Sequence, residues 1–71
     1  MNNFDELREA LNILEKGKSK DIVHWFLFAE HDIIGFGLSE EDVNLSPEEI
    51  ERLNELGVYY EGEYDSYIMF V

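Results

Sequence analysis

Leu45-Ser46-Pro47-Glu48-Glu49-Ile50-Glu51-Arg52-Leu53-Asn54-Glu55-Leu56-Gly57 is the most heavily punctuated stretch of the chain. Ser46 is placed to cap a helix, Pro47 stands at the first helical position where its missing N–H costs nothing, and Glu49 closes a capping box. Leu45 and Ile50 occupy the two positions of a hydrophobic staple, and Gly57 marks the stop. The spacing predicts a helix from Pro47 to about Leu56. Ile50, Leu53 and Leu56 form its buried row, and Glu48, Glu51 and Glu55 form a stripe on the opposite face.

Outward from this helix the apolar period shortens from helical to strand-like. Val58 to Glu61 and Tyr64 to Val71 read as a strand pair joined near Gly62-Glu63 or Tyr64-Asp65-Ser66. Upstream, Ile22, Val23, Trp25, Phe26, Leu27 and Phe28 predict a strand that begins after Asp21, because branched and aromatic side chains suit a pleated surface. Ala29-Glu30-His31-Asp32 is the best turn candidate, and Ile33 to Leu38 returns antiparallel. Gly35 and Gly37 fall on one face of that strand, with Ile34, Phe36 and Leu38 on the other. Glycines so placed mark a close approach, a bulge, or room for a large neighbour. At the start of the chain Asn3 caps a helix from Phe4 to Lys16, with Glu6 as capping-box acid. Phe4, Leu7, Ala10, Leu11 and Leu14 recur at helical spacing, and Gly17 offers a left-handed stop. Lys16-Gly17-Lys18-Ser19-Lys20 reads as a connection. The order is α-β-β-α-β-β. The expected fold is a single α+β domain over residues 1–71, a four-stranded antiparallel sheet with two helices on one face.

Composition narrows the function. A chain of 71 residues buries only about 60% of its unfolded surface, so a deep cleft would compete with the core for the same side chains. The balance of 17 acids against 5 bases gives −12 at neutral pH. Direct nucleic-acid binding is disfavoured, since such affinity comes from Lys and Arg displacing counterions, and anionic membranes attract basic segments for the same reason. The chain has no cysteine, which excludes disulfides and Cys-based zinc sites. Met1-Asn2-Asn3-Phe4-Asp5-Glu6 lacks a basic n-region and no run is apolar enough to span a bilayer, so the expected setting is the cytoplasm.

Chemical motifs are sparse. His31 sits between Glu30 and Asp32, but neighbours in a turn point apart, and a metal needs three or four converging ligands. His24 lies in an apolar segment, where a hydrogen-bonded structural histidine is the commoner finding. Ser39-Glu40-Glu41-Asp42-Val43-Asn44 lacks the alternating ligands and central Gly of a calcium loop. No nucleophile with its base and no Gly-rich phosphate loop is present. Neither an enzyme nor a cofactor site is expected.

Two surface features remain. Residues 1–38 carry net −3, whereas residues 39–71 carry net −9. Glu40, Glu41 and Asp42 precede the Glu48, Glu51, Glu55 stripe, and Glu61, Glu63 and Asp65 follow it, so the second half is expected to present a negative surface. Carboxylates on the stripe are ~5–6 Å apart at Cβ, comparable to phosphates along a nucleic-acid strand. Such a surface fits a protein with a basic, nucleic-acid-binding face. The second feature is apolar excess on both faces of the strands. Two helices cover one face only, which leaves an aromatic face with Trp25, Tyr59, Tyr60 and Tyr67 as candidate anchors. That face is available to a partner, or to a second copy in a homodimer.

Ala29-Glu30-His31-Asp32-Ile33-Ile34, the capped helix from Ser46 to Gly57, and Tyr64-Asp65-Ser66-Tyr67-Ile68-Met69-Phe70-Val71 together resemble small acidic proteins encoded by phages and mobile elements. The resemblance implies an inhibitor of host or defence machinery and carries over no catalytic residue. The functional expectation is a non-enzymatic interaction protein that occupies a basic nucleic-acid-binding surface; the alternative is a self-assembling module that dimerises through the aromatic sheet face.

Overall fold

The computed structural model describes residues 4–22 and 27–70. Helix α1 spans Phe4–Gly17 and strands β1 and β2 span Phe28–Glu30 and Ile33–Gly35. A single 3-10 turn at Glu40–Asp42 precedes helix α2, Pro47–Glu55, and strands β3, Val58–Glu61, and β4, Ser66–Phe70, complete the chain. The sheet is antiparallel throughout with order β1-β2-β4-β3. The fold is α+β in the expected α-β-β-α-β-β order.

Strand β4 is central, hydrogen-bonded to β2 on one side and β3 on the other. This explains its unbroken apolar run: Tyr67 and Met69 point into the core while Ile68 is buried on the other face. Phe36, Val58, Tyr67 and Met69 on the sheet meet Ala10 and Leu14 of α1 and Leu53 and Leu56 of α2. Both helices lie on this face. Arg52 of α2 fastens them, its Nη2 and Nε donating to the two oxygens of Glu9 on α1 at 2.9 and 2.5 Å.

Helix α2 is built as its caps dictate. The Ser46 N–H donates to Glu49 Oε1 at 2.9 Å, and the Glu49 N–H donates to Ser46 Oγ at 3.1 Å. Gly57 follows at φ 89°, in the left-handed region where only glycine is unstrained. Ile50 departs from the expected buried row, being 42% exposed. Leu53 and Leu56 alone seat the helix, because a nine-residue helix resting on one edge of a small sheet presents a narrow stripe. Phe4 is likewise exposed. Exposure falls from Phe4 through Leu7 to Ala10 and Leu14, so the first turn of α1 lies beyond the core.

Three further expectations are corrected. Gly17 closes α1 without a left-handed conformation, and its constraint is packing: a Cβ there would stand 2.6 Å from Leu45 Cδ2. The lysine-rich segment is more than a connection, since Lys18 forms an antiparallel bridge with Val43. The Ser19 N–H donates to the Asp42 carbonyl at 2.8 Å, and the Asn44 N–H to the Gly17 carbonyl at 2.7 Å. Strand β1 occupies Phe28–Glu30, so Ala29 and Glu30 belong to the strand and the turn shrinks to His31-Asp32. His31 takes φ 53° there, a conformation that histidine adopts more readily than most residues. The expected strand over residues 22–28 falls partly on residues 23–26, which lie outside the described residues, as do Asn3 and Val71.

Strand β2 stops at Gly35, short of the expected Leu38, because the ladder widens. The Phe36 N–H donates to the Tyr67 carbonyl at 2.9 Å, and the Tyr67 N–H donates back to Leu38 at 2.8 Å. Residues 36–38 thus oppose one residue of β4, with Gly37 between them at φ 72°. Buried Ser66 holds this bulge: its Oγ accepts from the Gly37 N–H and donates to the Tyr67 carbonyl, both at 2.9 Å. Phe36 and Leu38, on either side of Gly37, are both buried in the core.

Candidate protein-binding surfaces

The acidic residues of the second half divide among three places. On α2, Glu48, Glu51 and Glu55 are exposed in one stripe, as their spacing requires. Glu55 accepts from Arg52 Nη1 at 3.1 Å, whereas Glu48 and Glu51 carry no ion pair among the described residues. The Arg52 guanidinium beside Glu9 holds that carboxyl below its ordinary value, and the two carboxylates raise the guanidinium further above neutrality. Arg52 is therefore committed within the chain.

The second place surrounds Tyr60, on the core face near the β3 edge. Its hydroxyl donates to Asp65 Oδ1 at 2.5 Å, and its ring meets the Tyr67 ring edge-on with centroids 5.7 Å apart. The hydrogen bond to Asp65 pushes the phenol up to about 12, with burial and the charges of Glu40 and Glu41 adding to it. Burial, then Glu40, raises Tyr67 as well. Glu40 and Glu41 of the 3-10 turn and Asp65 of the β3–β4 turn thus all act on the Tyr60 phenol. Asp42 is used locally: its Oδ2 accepts from the Ser39 N–H at 2.8 Å and from Ser39 Oγ at 3.1 Å.

The third place is the sheet face opposite the helices. By register Phe28, Ile33, Gly35, Tyr59, Ile68 and Phe70 share this face with Glu30 and Glu61. The Phe28 ring lies over Gly35 so closely that a Cβ there would fall 1.9 Å from Cζ. Tyr64, from the β3–β4 turn, packs against Phe28 with centroids 5.8 Å apart. Ile68 is 3% and Ile33 6% exposed, while Tyr59 remains 46% exposed. A concavity of about 280 Å³ opens beside them, with Ile33 and Ile68 at its floor and Tyr64 and Phe70 at its sides. Glu30, Asp32, Glu61 and Glu63 stand around it together with His31. Burial raises the Tyr64 phenol, and the charges of Glu30, Glu63 and Glu61 raise it further.

The sequence-predicted residues are thus not one continuous surface. Glu61 lies on the face opposite the α2 stripe, because it is one residue out of phase with Tyr60. Tyr67 is corrected: at 7% exposure it is a core residue and offers no ring to a partner. Tyr60 is half-buried and tied to Asp65, Tyr59 is exposed, and Trp25 lies outside the described residues. Sequence reading missed Phe28, Tyr64 and Glu30 as a group. The available signal was Gly35, whose missing side chain leaves the room that Phe28 fills.

A second concavity, about 380 Å³, is lined by Lys16, Lys18 and Lys20 with Glu41 and Asp42 opposite. Lys18 Nζ donates to the Ile22 carbonyl at 3.0 Å. Among the described residues, no group of three His, Asp or Glu side chains is placed to hold a metal ion, and no helix is long and apolar enough to cross a membrane. No protein-family model, curated protein or solved structure matches the chain.

Proposed function

We propose that this chain is a non-enzymatic interaction protein that occupies a basic, nucleic-acid-binding surface of another protein and so blocks it by competition. The observation that carries the reading is the α2 stripe. Glu48 and Glu51, like Glu40 and Glu41, are exposed and have no ion pair among the described residues, while both arginines are paired within the chain, Arg8 with Asp5 and Arg52 with Glu9 and Glu55. Unneutralised carboxylates on a rigid helix keep their full attraction for a cationic partner. The resemblance to small acidic phage proteins supports an inhibitory role in the cytoplasm.

The test is affinity capture from a cell extract followed by challenge of the captured complex with duplex DNA. A basic nucleic-acid-binding protein released by DNA and by salt is the expected result. Charge reversal at Glu48, Glu51 and Glu55 to lysine should abolish capture. Undiminished capture by the reversed chain would refute the role of the stripe.

A further inference from the structure

The helix-free sheet face combines two properties that a merely solvated surface does not need together. Its floor is apolar and pre-formed, with Ile33 and Ile68 already buried and the Phe28 and Tyr64 rings packed together on the same face. Its rim is anionic, Glu30, Asp32, Glu61 and Glu63, with His31 and the Tyr64 phenol the other titratable side chains among the described residues that line it. None of the described lysines or arginines lines the concavity. Among these acids the described ion pairs are confined to Glu30 with neighbouring His31 at 3.7 Å.

We propose that this concavity, on the face away from the α2 stripe, receives an arginine side chain from a segment of the basic partner that passes around the edge strand β3, beside which α2 packs, a reading that rests on the proposed function above. Arginine is the side chain whose chemistry matches both properties. Its aliphatic stem lies along apolar surface while its planar cation stacks on an aromatic face and donates hydrogen bonds to carboxylates at its edges. Ile33 and Ile68 supply the floor for the stem, Tyr64 the aromatic wall, and Glu30, Glu61 and Glu63 the carboxylates. Exposed Tyr59 extends the platform toward the β3 edge for the residues flanking that arginine. A second copy of this chain fits poorly. A two-fold contact through this face presents each patch to itself and would set the four rim acids against their own copies.

The experiment is an amide-detected NMR titration of the whole chain with a blocked tri-arginine peptide and its tri-lysine counterpart. Arginine peptide should shift the amides of Glu30, Ile33, Tyr64 and Ile68 first and bind more tightly than the lysine peptide. Glu61→Gln with Glu63→Gln should weaken it several-fold to about tenfold, the span expected of two half-exposed ion pairs. Both side chains are solvent-accessible, and glutamine keeps the oxygen through which Glu61 accepts from the Glu63 N–H. Tyr64→Leu should keep the apolar contact with Phe28 and lose the preference for arginine. Shifts centred on α2, equal binding of lysine, or an unaffected double variant would overturn the proposal. A captured partner that tolerates the double variant yet is lost on reversal of Glu48, Glu51 and Glu55 would overturn the pocket alone. Arginine binding here without any DNA-displaceable partner would overturn the inhibitory function and leave the pocket standing.

Discussion

Gly35→Ala should destabilise the protein although alanine suits a strand better than glycine does. Gly35 has no left-handed conformation, so its backbone accepts any side chain. In an empty setting the exchange would stabilise by about 0.5–1 kcal/mol through reduced freedom of the unfolded chain. Here the new Cβ meets Phe28 Cζ at 1.9 Å and Cε1 at 2.1 Å. The ring must lift by ~1.5 Å or more to reach ordinary contact, which forfeits much of its packing energy. Its contact with Tyr64 is worth about 0.5–1.5 kcal/mol of itself, and overpacking costs about 1–3 kcal/mol in general. The net expectation is a loss of about 1–2 kcal/mol, or a Tm lower by roughly 4–16 °C in a domain of this size. The decisive measurement is a double-mutant cycle by urea denaturation. Phe28→Ala removes the obstacle, so in that background Gly35→Ala should become neutral or stabilising by about 0.5–1 kcal/mol. If Gly35→Ala costs the same with and without the Phe28 ring, the ring is not what glycine accommodates.

Ser66→Ala should cost about 0.5–1.5 kcal/mol, because it removes the hydrogen bond that the Gly37 N–H donates in the bulge; chemical denaturation should show it, with Ser66→Thr a milder change than Ser66→Val. In a spectrophotometric titration the half-buried Tyr60 should ionise near 12, and Asp65→Asn should bring it down. Because the folded phenol titrates above the free one, its contribution to stability is complete below about 10 and is lost as pH rises toward 12. Glu9 has the opposite sign: its folded pKa is lowered, so its contribution is present above 4.5 and is lost as pH falls through the folded value. Arg52→Gln should flatten that acid limb. Raising salt from ~0.01 to ~1 M, which shortens the screening length from about 30 to about 3 Å, should raise the Tm of a chain carrying −12, and an indifferent Tm would contradict self-repulsion as a destabilising force.

How much of this could be read from residues alone depends on how local each determinant is. The Ser46-Pro47-Glu49 cap and Gly57 confine α2 through neighbours within four positions, and that helix forms where its sequence requires. Val58–Glu61 is equally local, its ends set by Gly57 and Gly62. Strand β2 and Gly17 were harder because their constraints come from far along the chain. Ser66, 29 residues after Gly37, holds the bulge that ends β2. Leu45 crowds Gly17. Tyr67 illustrates the limit for sites: aromatic type is shared by anchors and core residues, and only its place on the helix-covered face of the central strand decides which it is. The alternation Tyr67, Ile68, Met69, Phe70 did separate the two faces, but not which one the helices would take.

The division of the acids also separates roles that the net charge merges. Glu30 and Glu61 each end an edge strand, β1 and β3, where a carboxylate discourages pairing with a foreign strand whatever else it does. Glu49 and Asp42 are held by capping hydrogen bonds, and Asp65 by Tyr60. These acids have a structural reason to exist. Glu48 and Glu51 have none of that kind: a helix has no unpaired edge to protect, neither residue caps α2, and neither pairs with a base among the described residues. They lie in the first two turns, and favourable interaction with the helix N-terminus accounts at most for Glu48, since that effect fades beyond the first turn. A surface whose charges are redundant for folding is one where reversal leaves the fold intact and reads out association alone. Glu51 is consequently the single position at which a change in binding has the least room for a structural explanation.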